Sequence, residues 1–428
     1  MVDFRPVRLD RQFRFLWTGQ LIGTAGGQMA VVALPFELWT LTHSSLSIGL
    51  LAIVQLVPIL AFALGGGAVA DAVDRRRLLT VTQSLLAGTG LAMAILAAQP
   101  SPPAWAFYVV AFVASGVGSV DSLARGSTVP RLVPRERLRA AIAVNSMGFN
   151  AMTVVGPAVA GAVIELAGVP AAFTINCVAW LASLAAIRML APIPPHPDAV
   201  RPSLRSVAEG LNFARARRII LATFVIDLDA MIFGMPSSLF PQLALTVFNV
   251  GAAGYGLLQA APAIGAAIGA ALNGWTSNVR NPGRGVIWAV AIWGIAIVGF
   301  GLSTWSLAVA MVCLAVAGAA DVISAVLRSS IVQLETHDRL RGRVMSIQTL
   351  VVTGGPRIGD AEAAALAAVA GAQFSVISGG VLCVLGLAAV VRFFPELLHY
   401  EIRHDASHGP AVDPAEPAET PDPETATA

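Results

Sequence analysis

Long uncharged apolar runs follow one another along the chain, separated by short polar connections, and each run is continuous rather than alternating residue by residue. About 20 apolar residues in a helix cross the hydrocarbon core of a bilayer. On that measure the pattern predicts twelve spans. The first six are Phe15–Leu41, Leu46–Ala70, Leu78–Ala98, Trp105–Thr128, Ala140–Leu166 and Ala171–Leu190. The second six are Ile219–Leu245, Tyr255–Leu272, Val286–Leu302, Leu307–Val326, Val344–Ala370 and Phe374–Phe394. Their length and continuity exclude the ten-residue alternation of a membrane barrel. The expected fold class is an all-α polytopic membrane protein with twelve transmembrane helices.

The connections differ in charge. Arginine is found in the N-terminus, the 2–3 turn (Arg75, Arg76, Arg77), the 4–5 loop (Arg131, Arg135, Arg137, Arg139), the central linker, the 8–9 turn (Arg280, Arg284), the 10–11 loop (Arg339, Arg341, Arg343) and the C-terminal end. The opposite connections, 42–45, 99–104 and 249–254, have none. By the positive-inside rule both termini are cytoplasmic. Arg5, Arg8, Arg11 and Arg14 precede a run too long for the apolar region of a cleavable signal, so it is expected to remain as the first span.

Composition agrees with this reading. The chain is 56% hydrophobic and 12% charged with a mean hydropathy of +0.74, against about 25% charged residues in soluble domains. All 27 basic residues are arginine. Without lysine there is no Walker A phosphate loop, so the energy for any work must come from another source. The net charge of +2 gives nucleic-acid binding no support. Cys177, Cys313 and Cys383 each lie inside an apolar run without metal-ligand spacing and read as packing residues. No metal, cofactor or enzymatic centre is expected.

The two sets of six resemble each other. Arg137-Leu-Arg139 recurs as Arg339-Leu-Arg341, Gly156-Pro157 recurs as Gly355-Pro356, and span 2 aligns with span 8 so that Gly49 pairs with Gly256, Gly67 with Gly274 and Arg77 with Arg284. Six-helix repeats that both start on one side are parallel repeats, with a site expected between them. The predicted organisation is an N-terminal bundle (1–190), a linker with a proline-rich spacer and a basic amphipathic stretch (191–218), a C-terminal bundle (219–395) and a disordered acidic tail (396–428).

Gly67-x-x-x-Asp71-x-x-x-Arg75-Arg76 after span 2 resembles the signature loop of the major facilitator superfamily, and Gly156-Pro157-x-x-x-Gly161 in span 5 resembles that of its drug/proton antiporters. Val129-Pro-Arg-Leu-Val-Pro-Arg-Glu and Leu340-Arg-Gly-Arg-Val are similar to stretches in the enterobactin-exporter group of bacterial efflux proteins. Ala72, Asp74 and Met152 depart from the usual motifs, and Asn278 stands in the second half where the first has Asp71. The resemblance implies alternating access driven by an ion gradient, in the cytoplasmic membrane. It also implies gating by Gly67, Asp71, Arg75 and Arg76.

Several residues are candidates for the mechanism. Asp71 near the cytoplasmic boundary suits a gate that meets a helix dipole or an arginine of the other half; the alternative for the arginines is topology alone. The pairs Gly156-Pro157 (with Gly161) and Gly355-Pro356 suit either a hinge or a tight seam between helices. Charges inside spans are costly and point to a wet or paired interior. They are Asp121 and Arg125 on span 4, Asp227 and Asp229 on span 7, Asp321 and Arg328 on span 10, and Arg357, Asp360 and Glu362 on span 11. No histidine falls inside a span, so a proton carrier must be a carboxylate. Asp227 is the first candidate, followed by Asp121, Asp321 and Asp360. Arg357 either binds an anionic substrate or pairs with Asp360, and Arg125 either pairs with Asp121 or reaches to the interface. Glu37, Trp17, Trp39, Trp105 and Trp305 read as interfacial.

The expected function is secondary export of small amphipathic molecules, a siderophore or a drug, in exchange for protons. The expected partners are that substrate, protons and membrane lipids, with no nucleic acid, and the working unit is a monomer. Uptake or lipid translocation by the same fold is the transport alternative. A non-transporting sensor or scaffold is the alternative from another class, and it predicts no flux.

Overall fold

The computed structural model describes residues 3–194, 211–272, 274 and 279–401, and of residues 63–72 and 338–339 the backbone alone. Among the described residues there is no β-strand. After a one-turn helix, Arg5–Leu9, the first six long helices are α1 (Arg11–Thr42), α2 (Ser45–Ala72), α3 (Arg75–Ala97), α4 (Ala104–Leu132), α5 (Arg135–Ala167) and α6 (Val169–Arg188). The second six are α7 (Arg218–Phe233), α8 (Gly251–Leu272), α9 (Pro282–Leu302), α10 (Leu307–Glu335), α11 (Asp338–Ala370) and α12 (Ala372–Phe393). Eleven helices among the described residues are long and apolar enough to cross a membrane. Helix α11, which carries Arg357, Asp360 and Glu362, is the twelfth by position.

The helices outrun the apolar runs at the arginine-rich end. α10 continues nine residues past Val326 to Glu335, and α11 begins at Asp338 rather than Val344. Hydropathy reports the membrane, whereas arginine and glutamine are themselves good helix formers and let a helix run on into water. The extension of α10 leaves Arg328 well inside the helix. At the arginine-poor end of α1, Glu37 is buried within the protein. Trp39 is buried too, and Trp17 donates to the Val144 carbonyl, whereas Trp105 and Trp305 are exposed.

Span 7 is not one helix. It stops at Phe233, passes Gly234 and Pro236, makes a 3-10 turn at Ser237–Leu239, and resumes through Phe240–Gln242 into a π-turn at Leu243–Val247. Proline removes a donor and disfavours helix at the preceding residue, which accounts for the break. Asp360 of α11 accepts hydrogen bonds from the Ser238 backbone N–H (2.7 Å) and the Ser237 hydroxyl (2.8 Å), satisfying the interrupted chain.

Packing repeats between the halves. α1 packs on α5 and α6, α3 on α4 and α6, and α2 on α4; in the second half α7 packs on α11 and α12, α9 on α10 and α12, and α8 on α10. The halves meet along two equivalent seams, α5 with α8 and α2 with α11. One apolar cluster joins both halves at the arginine-poor end, through Met29, Leu34, Leu51, Phe107 and Ile164 of the first and Leu239, Tyr255 and Leu258 of the second, and continues down the second half to Val286, Leu327 and Leu397. At the arginine-rich end the core divides. Phe13, Leu16, Leu79, Ala141 and Ile187 form a cluster of the first half, and Ile220, Phe224, Val332, Val344 and Ile347 form a separate one of the second.

Candidate functional site

A cavity of about 660 Å³ lies on the inner face of the first half, lined from α1 by Gln20, Thr24 and Gln28, from α4 by Asp121 and Arg125, from α5 by Asn145, Ser146, Phe149 and Asn150, and from α6 by Trp180. Gln20, Thr24 and Gln28 are spaced by four residues and so share one face of α1. Apart from Gln28, just past the middle of α1, these positions lie in the arginine-rich halves of their helices, where the core is divided. Beneath the arginine-poor seal is a second, small pocket of about 90 Å³ between the halves, whose lining includes Ala52, Gln55, Tyr255, Gln259, Arg357 and Asp360.

Each half holds a buried arginine. In the first half Arg125 Nε lies 2.6 Å from Asp121 Oδ2, and Nη2 donates to Ser183 Oγ at 3.2 Å. Thr82 of α3 donates to the other Asp121 oxygen at 2.7 Å, and the Arg125 guanidinium lies over Trp180 at 6.0 Å. Arg125 Nη1, Gln20 Oε1 and Asn145 Oδ1 are buried and have no hydrogen-bond partner among the described residues. The wall therefore offers one charged donor and two amide groups to a ligand.

In the second half Arg328 Nη2 lies 2.6 Å from Asp227 Oδ1, and Nη1 donates to Ser324 Oγ at 2.7 Å. Ser324 thus stands four residues before Arg328 as Asp121 stands before Arg125, and the acid comes from α7 instead. Asp227, expected without an arginine because none is near in sequence, is paired across helices. Asp321 shares a face of α10 with Arg328 and feels the charges of both Arg328 and Asp227. Asp229 points elsewhere, against Gly386 of α12.

Other candidates fall outside the cavity. Asp360 caps the break after α7, and Arg357 lines the small pocket beside it. Arg75 donates from Nε to Ser127 Oγ of α4, and Arg76 to the Arg188 carbonyl at the end of α6, both within the first half. The side chains at Gly67 and Asp71 lie outside the described residues. Of the glycine–proline pairs, Gly156 packs against Gln28 of α1, and Gly355 against Met231 of α7. Gly161 meets the other half: a methyl there would lie 2.8 Å from Gly256 Cα and 2.6 Å from the Ala252 carbonyl oxygen. The paired glycines of spans 2 and 8 hold equivalent places, Gly49 facing Ala364 on one seam and Gly256 facing Gly161 on the other.

Twelve long helices among the described residues, packed in two matching sets of six with a polar cavity on the inner face and seams at one end, define a membrane transporter of the major facilitator type. Residues 2–414 match the model of the transmembrane secretion effector family, and the chain belongs to that family. It is 26% identical over 401 residues to the enterobactin exporter EntS of Citrobacter koseri, covering 92% of this chain and 96% of that one. The same identity and coverage hold for the enterobactin exporter EntS of Escherichia coli O139:H28. The fold is similar to a bacterial homologue of the iron transporter ferroportin in an inward-facing state, with a TM-score of 0.68, 14% identity and 92% and 100% of the two chains covered. It is also similar to a POT family transporter in complex with 5-aminolevulinic acid, with a TM-score of 0.72, 10% identity and 91% and 97% covered.

Proposed function

We propose that the protein exports small amphipathic molecules, a siderophore or a drug, from the cytoplasm in exchange for protons by alternating access. The arginine-rich end, with both termini, faces the cytoplasm. The observation that carries this reading is the divided core. An apolar cluster common to both halves closes the arginine-poor end, while the cavity lies where the halves have separate cores. An exporter loads from that side and an importer of the same fold would release there, so the outward direction of this proposal rests on the similarity to enterobactin exporters. The similarity to enterobactin exporters over most of the chain supports a siderophore as the first substrate to test.

The two halves divide the work in this reading. Arg125, Trp180 and the amides of α1 and α5 hold the substrate, an aromatic or anionic group suiting the guanidinium and the indole. Asp227 is held by Arg328, and Asp321, near that pair but not bonded to it, is the carboxylate that takes the proton. Each chain holds both seams and a cavity, so the monomer suffices. The test is the distribution of a labelled catecholate siderophore between iron-limited cells and medium, with and without the gene. Retention in the deletion strain, relieved by the gene and restored by a protonophore, is the expected result. Unchanged distribution removes that substrate, and gene-dependent accumulation in the cells refutes export.

A further inference from the structure

The arginine-poor gate contains a carboxylate that the cavity does not use. Glu165 lies four residues after Gly161, on the same face of α5, one turn closer to the helix end. Its Oε2 accepts hydrogen bonds from the backbone N–H of Ala252 (2.8 Å) and of Ala253 (3.3 Å), in the first turn of α8. These donors belong to the other half. The first N–H groups of a helix have no partner within it and carry the positive end of its dipole. α8 opens with Val250-Gly-Ala-Ala-Gly, which has no side chain able to cap it.

Local geometry is fitted to this contact. Gly251 has φ +65°, where a side chain is strained, and a methyl on it would lie 2.6 Å from Glu165 Oε2. One turn along the seam, Gly161 and Gly256 bring α5 and α8 into backbone contact. On the equivalent seam the position of Glu165 is taken by Ala368, and the polar contact nearby is a hydrogen bond from Ser45 Oγ to Gln242 Oε1 at 2.7 Å. The carboxylate is thus a feature of one seam.

We propose that Glu165 is the latch of the arginine-poor gate. Its carboxylate caps α8 of the opposite half while the halves are closed at that end, and each transport cycle breaks and remakes this cap. The latch biases the resting protein toward the state open at the arginine-rich end. It acts on the gate and touches no substrate.

The test measures the gate directly, in the full chain reconstituted in lipid nanodiscs without substrate or pH gradient. Ala52→Cys reports the arginine-poor side, because Ala52 is buried and lines the small pocket beneath the seal. Ser146→Cys reports the cavity at the arginine-rich side. Both are labelled with a hydrophilic thiol reagent, subtracting the rate of the parent with its native cysteines. Glu165→Ala should raise labelling at position 52 about three- to tenfold, the worth of a helix cap, and lower it at position 146. Glu165→Gln, which keeps an acceptor but loses the charge, should fall between. Unchanged labelling at position 52 in both variants overturns the latch. So does a rise at both positions, which is general loosening rather than a shifted gate. The readout involves neither substrate nor proton, so failure of the export or coupling reading leaves it standing.

Discussion

Arg328 and Asp227 are each 2% exposed, and an ion pair at that depth is weak evidence of stability but costly to break from one side. Removing one partner of such a pair leaves a buried charge and costs about 3–5 kcal/mol. The neighbouring Asp321 makes the two halves of the experiment unequal. Arg328→Gln strands two carboxylates, whereas Asp227→Asn leaves Arg328 with Asp321. The expected order in thermal unfolding in detergent is wild type, then Asp227→Asn, then Arg328→Gln, with the double variant above Arg328→Gln. Equal losses for the single variants would show that Asp321 is not part of the cluster. The candidate acids were legible as charges inside apolar runs, but the partner of Asp227 was not, because Arg328 lies 101 positions away on another helix. The cavity wall had a fainter signal: Gln20, Thr24 and Gln28 at four-residue spacing mark a polar face on α1. Glu165 had none, since its partners are backbone N–H groups, which every sequence supplies.

Helix number was readable because the bilayer forces it. A spanning segment must be predominantly apolar and satisfy its own backbone, so composition marks eleven of them among the described residues, and position in the repeat supplies α11. Helix ends were less readable, and the break in span 7 least, because Pro236 sits in a run that stays apolar through Leu245. The seams depend on small residues, which in sequence resemble ordinary packing glycines. Their difference is testable. A methyl on Gly256 would lie 2.5 Å from the Pro157 carbonyl oxygen, whereas one on Gly88 of α3 meets nothing within 4 Å. Gly256→Leu should therefore hold the arginine-poor end open, abolish transport and expose Ala52→Cys to thiol reagents. Gly88→Ala should leave transport intact and raise helix stability by up to about 1 kcal/mol. Loss of transport in both variants, with Ala52→Cys still protected in Gly256→Leu, would remove the seam from the gating account.

Taken as a whole, the molecule has the same scaffold in each half and a different charge balance. In the first half one carboxylate, Asp121, meets one guanidinium, Arg125; in the second, Asp227 pairs with Arg328, and Asp321 lies on the same face of α10 within the field of that pair without forming an ion pair of its own among the described residues. Excess negative charge is expensive in a closed, low-dielectric interior and cheaper where water reaches it. A proton on the second cluster removes that cost, so protonation and closure around the cluster favour each other. Linkage of this kind is reciprocal. It predicts that in inverted vesicles with an acidic lumen the wild-type protein accumulates substrate in the lumen as protons leave, and that a protonophore collapses the gradient. Asp321→Asn makes the second cluster permanently neutral while keeping the Arg328–Asp227 pair. That variant should still exchange labelled for unlabelled substrate across the membrane but should no longer accumulate it under a pH gradient. Accumulation at the wild-type level would remove Asp321 from the coupling machinery, and loss of exchange as well would assign it to the transport path itself.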